Sequence, residues 1–220
     1  MPTTASRRRS IDSAATREAI LDAAEALFAE RGFAGAGMRE IAEVSDLTPA
    51  SLYNHFRSKE ALYEAVLARA LTPLLEILRD FASRDQSLPA ADEMVGAIMA
   101  RLARTPHVPR LLHHEAASGA ERLQHISREW IRPLFEQGIS ALRRDPINPW
   151  GEGEQALVIS AWLHMVFGHF ALAPLLAEVR GEDPLSPDAL ERQTHFFRKL
   201  ARLMMTPRTP SSEPDPTDGV

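Results

Sequence analysis

The side chains of this 220-residue chain best suited to chemistry gather between Arg39 and Lys59. Thr48, Ser51 and Tyr53 carry hydroxyls, Asn54 an amide, His55 an imidazole, and Arg39 and Lys59 cations. No nucleophile elbow, phosphate loop, HExxH pair or glycine-rich dinucleotide fingerprint accompanies them. The chemistry on offer is therefore hydrogen bonding and ion pairing rather than bond making, and an enzyme is the weaker reading. Tyrosine, histidine and threonine donate hydrogen bonds to phosphate oxygens, and a lysine beside the free N–H groups of a helix N-terminus attracts a phosphate.

These side chains need helices to hold them, and the spacing supplies three. Arg39 to Val44 reads as a short helix with Ile41 and Ala42 inward, and Ser45 to Leu47 as a polar turn. Thr48 can then cap a second helix whose first turn holds Pro49, where the missing N–H has no intrahelical partner to lose. Ser58 can cap a third helix, which opens with Lys59 and Glu60 and runs on through Leu62, Tyr63, Val66 and Leu67. Helix, tight turn, helix is the pattern of a DNA reader. Leu52 and Phe56 read as buried seats for the second helix. Upstream, Ile20, Ala23, Ala24, Leu27 and Phe28 recur at steps of three and four, and Gly32 follows where a left-handed C-cap is wanted. The polar face of that first helix (Arg17, Glu18, Asp22, Glu25) reads as solvated.

The run TREAILDAAEALFAERGF (16–33), the segment MREIA (38–42) and above all SLYNHFRSKEAL (51–62) resemble the TetR family of transcriptional regulators. The resemblance covers roughly the first third of the chain. It implies an all-α protein with a small N-terminal DNA-binding domain and a larger C-terminal domain that dimerises and encloses a ligand. It places Arg39, Thr48, Pro49, Ala50, Ser51 and Asn54 among the DNA-binding positions, Tyr53 and His55 at phosphate-contacting aromatic positions, and Lys59 at a phosphate-binding helix start. Two positions depart from the family pattern. Ala36 and Gly37 stand where Ser or Thr is usual, and Ala50 where Gly is frequent, so base preference is affected more than DNA binding.

Charge supplies little help. Residues 1–60 hold Arg7, Arg8, Arg9, Arg17, Arg31, Arg39, Arg57 and Lys59 against nine Asp and Glu, and the whole chain carries a formal charge of -5. A basic face must come from arrangement, with the Arg7-Arg8-Arg9 run as a flexible arm that could add phosphate contacts. Cysteine is absent, which removes disulfide and thiol chemistry and suits a reducing cytoplasm. No apolar segment follows the N-terminal arginines, so a secretory signal is not expected. The divisions expected are a polar tail at 1–13, the DNA-binding unit at 14–74, a helical ligand-binding and dimerisation unit at 75–205, and a Pro- and Ser-rich tail at 206–220.

Between Ala156 and Ala177 there is no Asp, Glu, Lys or Arg, a length that could span a bilayer. Its histidines, Ser160, Pro174 and acidic flanks favour a helix buried on several sides, and no membrane partner is expected. One stripe of it (Leu157, Ala161, His164, Gly168, Ala171) is small or apolar. A following helix, begun at Pro187, repeats Leu190, Thr194, Phe197 and Ala201 at steps of four and three. Both stripes read as a homodimer interface in a four-helix bundle, which spaces two recognition helices by a turn of DNA or a multiple of it. Pro174 should kink the long helix near Phe170 and free a carbonyl there.

Met94, Met99, His113, Trp130, Trp162, His164, Met165 and Phe170 are the candidates for a cavity that takes a small-molecule effector, a cavity implied by the resemblance alone. The histidines raise the question of a metal. His164 and His169 lie about 140° apart round a helix and His113 and His114 are adjacent, so neither pair presents two imidazoles on one face. No metal and no cofactor is assigned. The expected partners are a double-stranded operator, a second copy of the chain and an effector.

Overall fold

The computed structural model describes residues 4–83, 89–118, 122–144 and 148–205, and the regular structure in them is helical throughout, as expected. Four helices make the N-terminal part: α1 (Thr4–Gly35), α2 (Met38–Val44), α3 (Pro49–His55) and α4 (Lys59–Ser83). The remainder is α5 (Pro89–Leu102), α6 (Val108–Ser118), α7 (Arg122–Ile126), α8 (Arg132–Arg144), α9 (Glu152–Ala171), α10 (Ala173–Arg180) and α11 (Pro187–Met205), with one π-helical turn (Ser127–Ile131) joining α7 to α8. The tail read at 206–220 lies outside the described residues, as do 145–147 between α8 and α9. Of the tail read at 1–13, residues 1–3 lie outside the described residues and the rest is helical, because α1 already begins at Thr4. Arginine and alanine are good helix formers, and a helix nucleated on its buried C-terminal half propagates backward through them.

α4 is the spine of the molecule. Val66, Leu67, Ala70, Leu71 and Leu74 are all buried on it, a continuous apolar stripe that packs on α1, α5 and α8. One core cluster extends from Ile20 in α1 to Ala201 in α11. The boundary drawn at 74/75 therefore falls inside an unbroken helix, and the N-terminal unit shares its core with the rest of the chain. Pro73 sits within α4 and has no N–H to give to the Arg69 carbonyl one turn earlier. The Arg101 guanidinium donates to that carbonyl instead, tying α5 to α4 where the helix ladder is interrupted.

A second tie corrects the reading of the polar face of α1. Glu25 is buried (3% exposed), not solvated. It accepts from the Arg69 guanidinium at 2.7 Å and from the His107 backbone N–H at 3.3 Å, while Arg69 also reaches Asp22 (2.7 Å) and Glu18 (3.2 Å). A fully polar residue on the polar arc of a helix becomes internal because α4 and the α5–α6 connection cover that arc.

The 156–177 segment is broken. α9 and α10 meet at an angle of 69°, and no single helix among the described residues is long and apolar enough to cross a membrane. The break falls at Leu172, close to where Pro174 predicted it, but the Phe170 carbonyl is not left free, since the Leu172 N–H points to it and to the Gly168 carbonyl. His169, just before the break, is buried against the Phe170 and Phe197 rings (centroids 5.3 and 6.3 Å). Burial lowers its pKa below the ordinary histidine value. A histidine held neutral in the fold and free to ionise when unfolded withdraws stability as pH falls through its unfolded pKa of about 6.5. Thermal unfolding between neutral and mildly acidic pH should show that loss in the wild type, with a flatter profile for His169→Leu.

Candidate nucleic-acid interface

The turn between α2 and α3 is held by local hydrogen bonds that fix the angle of the second helix. The Leu47 N–H donates to the Ala42 carbonyl (2.8 Å) and the Asp46 N–H to the Glu43 carbonyl (3.1 Å), with Asp46 left-handed at φ 54°. That is a Schellman stop with aspartate where glycine is usual, a position its short polar side chain tolerates. The Ser45 hydroxyl donates to the Ile41 carbonyl at 2.7 Å. α3 then starts as predicted. The Thr48 hydroxyl accepts from the Ser51 N–H at 3.2 Å with Pro49 in the first turn, and the Ser58 hydroxyl caps α4 by accepting from the Ala61 N–H at 3.1 Å.

Leu52 is fully buried and Phe56 nearly so, which roots α3 and turns its other residues outward. Thr48, Pro49, Ala50, Tyr53 and Asn54 are exposed, Ser51 and His55 half-buried, and Arg39 exposed on α2 beside them. The surface presents hydroxyls, an amide and a phenol on a rigid helix, groups that donate and accept hydrogen bonds at base edges and phosphates. Arg39 and Arg57 carry no ion pair among the described residues, which leaves their charge available.

Lys59 stands apart from its expected role. Its ammonium donates to the Ala34 carbonyl (3.3 Å) and lies 4.6 Å from the centre of the Phe33 ring, and burial followed by the nearby Arg122 lowers its pKa. In this conformation it clamps the start of α4 to the end of α1. The same ring receives the Arg122 guanidinium at 3.8 Å, so Phe33 is held between two cations from different parts of the chain. Sequence reasoning also missed Arg17, whose guanidinium lies 4.2 Å from the centre of the Phe56 ring and donates to the His55 carbonyl at 3.5 Å. Arg17 and His55 are 38 residues apart, so no local pattern signals that the cation meets the C-terminus of α3.

Gly32 has φ +69° and ψ 175°, outside the left-handed helical region that a C-cap reading implies, but still in backbone space that glycine alone enters easily. Gly37 caps α2 with φ -102° and ψ 140° and no side-chain bond, and a Cβ there would meet nothing within 4 Å. Gly37→Ser should therefore stabilise the protein by about a few tenths of a kcal/mol, measured as a raised urea midpoint. It should also restore a hydroxyl beside Arg39 and tighten DNA binding.

Behind the interface lies a cavity of about 150 Å³ between α4, α5, α8, α9 and α11. Of the predicted effector residues, Met94 and Trp162 line it. Met99 and Phe170 are packed in the core, and Trp130 and Met165 lie against that core without reaching the cavity wall. His113 and His164 are exposed. Ile159, Trp162, Leu163, Val166 and Phe167 carry the cavity face of α9, and His164, two residues beyond Trp162, points about 200° away from it. α6, which carries His113, contributes nothing to the wall and packs instead on α1 and α9.

The predicted dimer stripes divide in the same manner. On α11, Phe197 and Ala201 are 4% and 2% exposed, Leu190 and Thr194 are half-buried, and the helix lays this seam on α5 of its own chain. The Trp162 and Phe197 rings meet edge to face at 6.3 Å. On α9, Leu157 is 69% exposed, Ala161, Gly168 and Ala171 are half-buried, and a Cβ on Gly168 would meet nothing within 4 Å. The large apolar side chains left exposed on these helices are Leu157 of α9, Leu172, Leu175 and Val179 at and after the break, and Phe196 and Leu203 of α11.

Comparison with known proteins agrees with this architecture. Residues 20–66 match the family model described as bacterial regulatory proteins, tetR family. The HTH-type transcriptional regulator RutR of Escherichia coli is 35% identical over 187 residues, spanning 81% of this chain and 84% of that protein. The HTH-type transcriptional repressor Rv3405c of Mycobacterium tuberculosis is 30% identical over 172 residues, 78% and 81% of the two chains. The solved structure of Salmonella enterica GusR shares the fold with a TM-score of 0.62 at 20% identity, over 86% of this chain and 93% of that one. With its helix-turn-helix and its identity to these relatives over most of their length, the chain belongs to the tetR family of transcriptional regulators.

Proposed function

We propose that the protein is a homodimeric repressor that occupies a palindromic operator and is released by a small apolar or amphipathic effector bound in the cavity. The observation that carries the reading is α4. Its first residue, Lys59, clamps the end of α1 beside the helix-turn-helix, and its last turns, through Leu74, Leu78 and Phe81, form one wall of the cavity. A ligand that favours one position of this helix alters the placement of α3. The effect requires differential affinity, and a 1.4 kcal/mol preference changes operator binding about tenfold.

In this reading Tyr53, Asn54 and Thr48 meet bases and phosphates, Arg39 and His55 add phosphate contacts, and Lys59 joins them once DNA competes for its ammonium. Two α3 helices reach successive major grooves when the outward apolar surface of α9 and α11 is paired with that of a second copy. The exposed side chains of Leu157, Leu172, Leu175, Val179, Phe196 and Leu203 are the apolar groups such a pairing would cover.

Selection of the purified protein against random duplex DNA tests the proposal. Enrichment of an inverted repeat is the expected result. Titration of that repeat with a Tyr53→Ala, Asn54→Ala variant should show affinity lowered at least tenfold, given about 1–3 kcal/mol for each lost base or backbone contact. Failure of a folded dimer to enrich any sequence at low salt would overturn it.

A further inference from the structure

We infer that the cavity selects an uncharged, compact hydrocarbon-like effector, roughly the size of a substituted benzene ring, and excludes acids, amines and amphipathic chains with an ionised head. The inference rests on the effector reading above and narrows it to one chemical class.

The walls decide the class. Every lining residue is aliphatic, aromatic, methionine or glycine, and the side-chain polar group among them is the indole N–H of Trp162. Nothing in the lining can neutralise a carboxylate or an ammonium. Several buried side-chain polar atoms lack a hydrogen-bond partner among the described residues, including Arg69 Nε, Trp130 Nε1 and His169 Nε2, and none belongs to a wall residue. Apart from that indole N–H, the wall side chains hold no nitrogen or oxygen that a polar ligand would satisfy. An ionised group carried inside would lose its hydration without replacement, and selection against it is strong. A hydrocarbon loses nothing of the kind and gains dispersion contacts with the apolar wall.

The volume decides the size. About 150 Å³ is the space of an apolar cavity that takes benzene. Aromatic faces come from Phe81, Trp162 and Phe167, and aliphatic walls from Leu78, Ile98 and Leu163. Gly138 lets α8 and α9 approach closely beside the cavity: a Cβ there would stand 2.9 Å from Ile159 Cδ1, so a larger residue requires repacking.

Thermal unfolding of the full chain with toluene, benzoate, benzylammonium and octanoate provides the test, since the first three are nearly equal in size and differ in charge. Toluene near a hundred times its Kd should raise Tm by about 5 °C or more, and the three ions should bind at least tenfold more weakly. Ala141→Leu, which places carbons in the cavity, should abolish the toluene shift. Ala201→Leu serves the same purpose from α11 if the first variant does not fold. Binding of benzoate, benzylammonium or octanoate as tight as toluene overturns the inference, and so does the absence of any toluene shift. Release of the selected operator is measured separately: a toluene shift without release leaves the ligand class standing and removes the repression mechanism.

Discussion

Arg69→Met is expected to lower the unfolding free energy by about 3–5 kcal/mol, because it strands a carboxylate inside the protein. Arg69 holds three acids, but Glu18 and Asp22 are 62% and 73% exposed at their side chains and contribute little, as screened surface pairs do. Glu25, 4% exposed, is the partner that matters. Without the guanidinium its remaining donor is the His107 backbone N–H. Urea titration followed by circular dichroism measures the loss, and the double variant Glu25→Leu, Arg69→Met should recover most of it, since an apolar pair leaves no charge unpaired. If the single variant unfolds at the wild-type midpoint, the network is not what joins α1 to α4.

The same substitution has a pH signature. Burial raises the Glu25 pKa above the ordinary carboxylate value, and Arg69 opposes that rise. A carboxyl with a raised folded pKa adds stability that is fully present below its unfolded pKa of about 4.3 and is lost as pH rises through the folded value. Removing Arg69 lifts the folded value further. The deficit of the variant should therefore be greatest at neutral pH and shrink as pH is lowered into the window between the two values.

The second large effect concerns assembly. If the protein is the proposed dimer, Leu157→Glu together with Phe196→Glu is expected to convert it to a monomer and to weaken binding of the selected repeat on the order of a hundredfold or more, because the second half-site is then no longer held at high effective concentration. Both residues are more than half exposed in the single chain, so the charges cost the monomer fold little. Light scattering reports the mass, circular dichroism the fold, and titration of the selected inverted repeat the affinity. A double variant that remains dimeric would move the interface off this surface. Equivalent charges at Phe197 or Ala201 should unfold the chain instead, since those residues are packed inside it.

How much of this was legible beforehand varies along the chain for physical reasons. The helix-turn-helix was readable almost to the residue, because its determinants are local: Thr48 and Ser58 satisfy N–H groups three residues away, Pro49 has its φ preset, and Leu52 and Phe56 have one face on which to be buried. The position of the break before Pro174 was readable on the same ground. Burial of Glu25, by contrast, depends on Arg69 and on the backbone of His107, 44 and 82 residues away, and no local pattern carries that information.

The same limit governs the C-terminal helices. α9 and α11 each present more than one apolar stripe, and periodicity marks a stripe as fit for burial without naming what buries it. Sequence by itself determined an all-α chain, the caps and breaks of its helices and the residues that α3 turns outward. Only the tertiary structure decided that Phe197 and Ala201 close the chain's own core while Phe196 and Leu203 remain outside, that His164 leaves the cavity while Ile159 and Trp162 enter it, and that Lys59 is engaged by Phe33. Neighbouring positions on a helix differ by about 100°, so such assignments are settled by which helix packs on which face, a property of contacts distant in sequence.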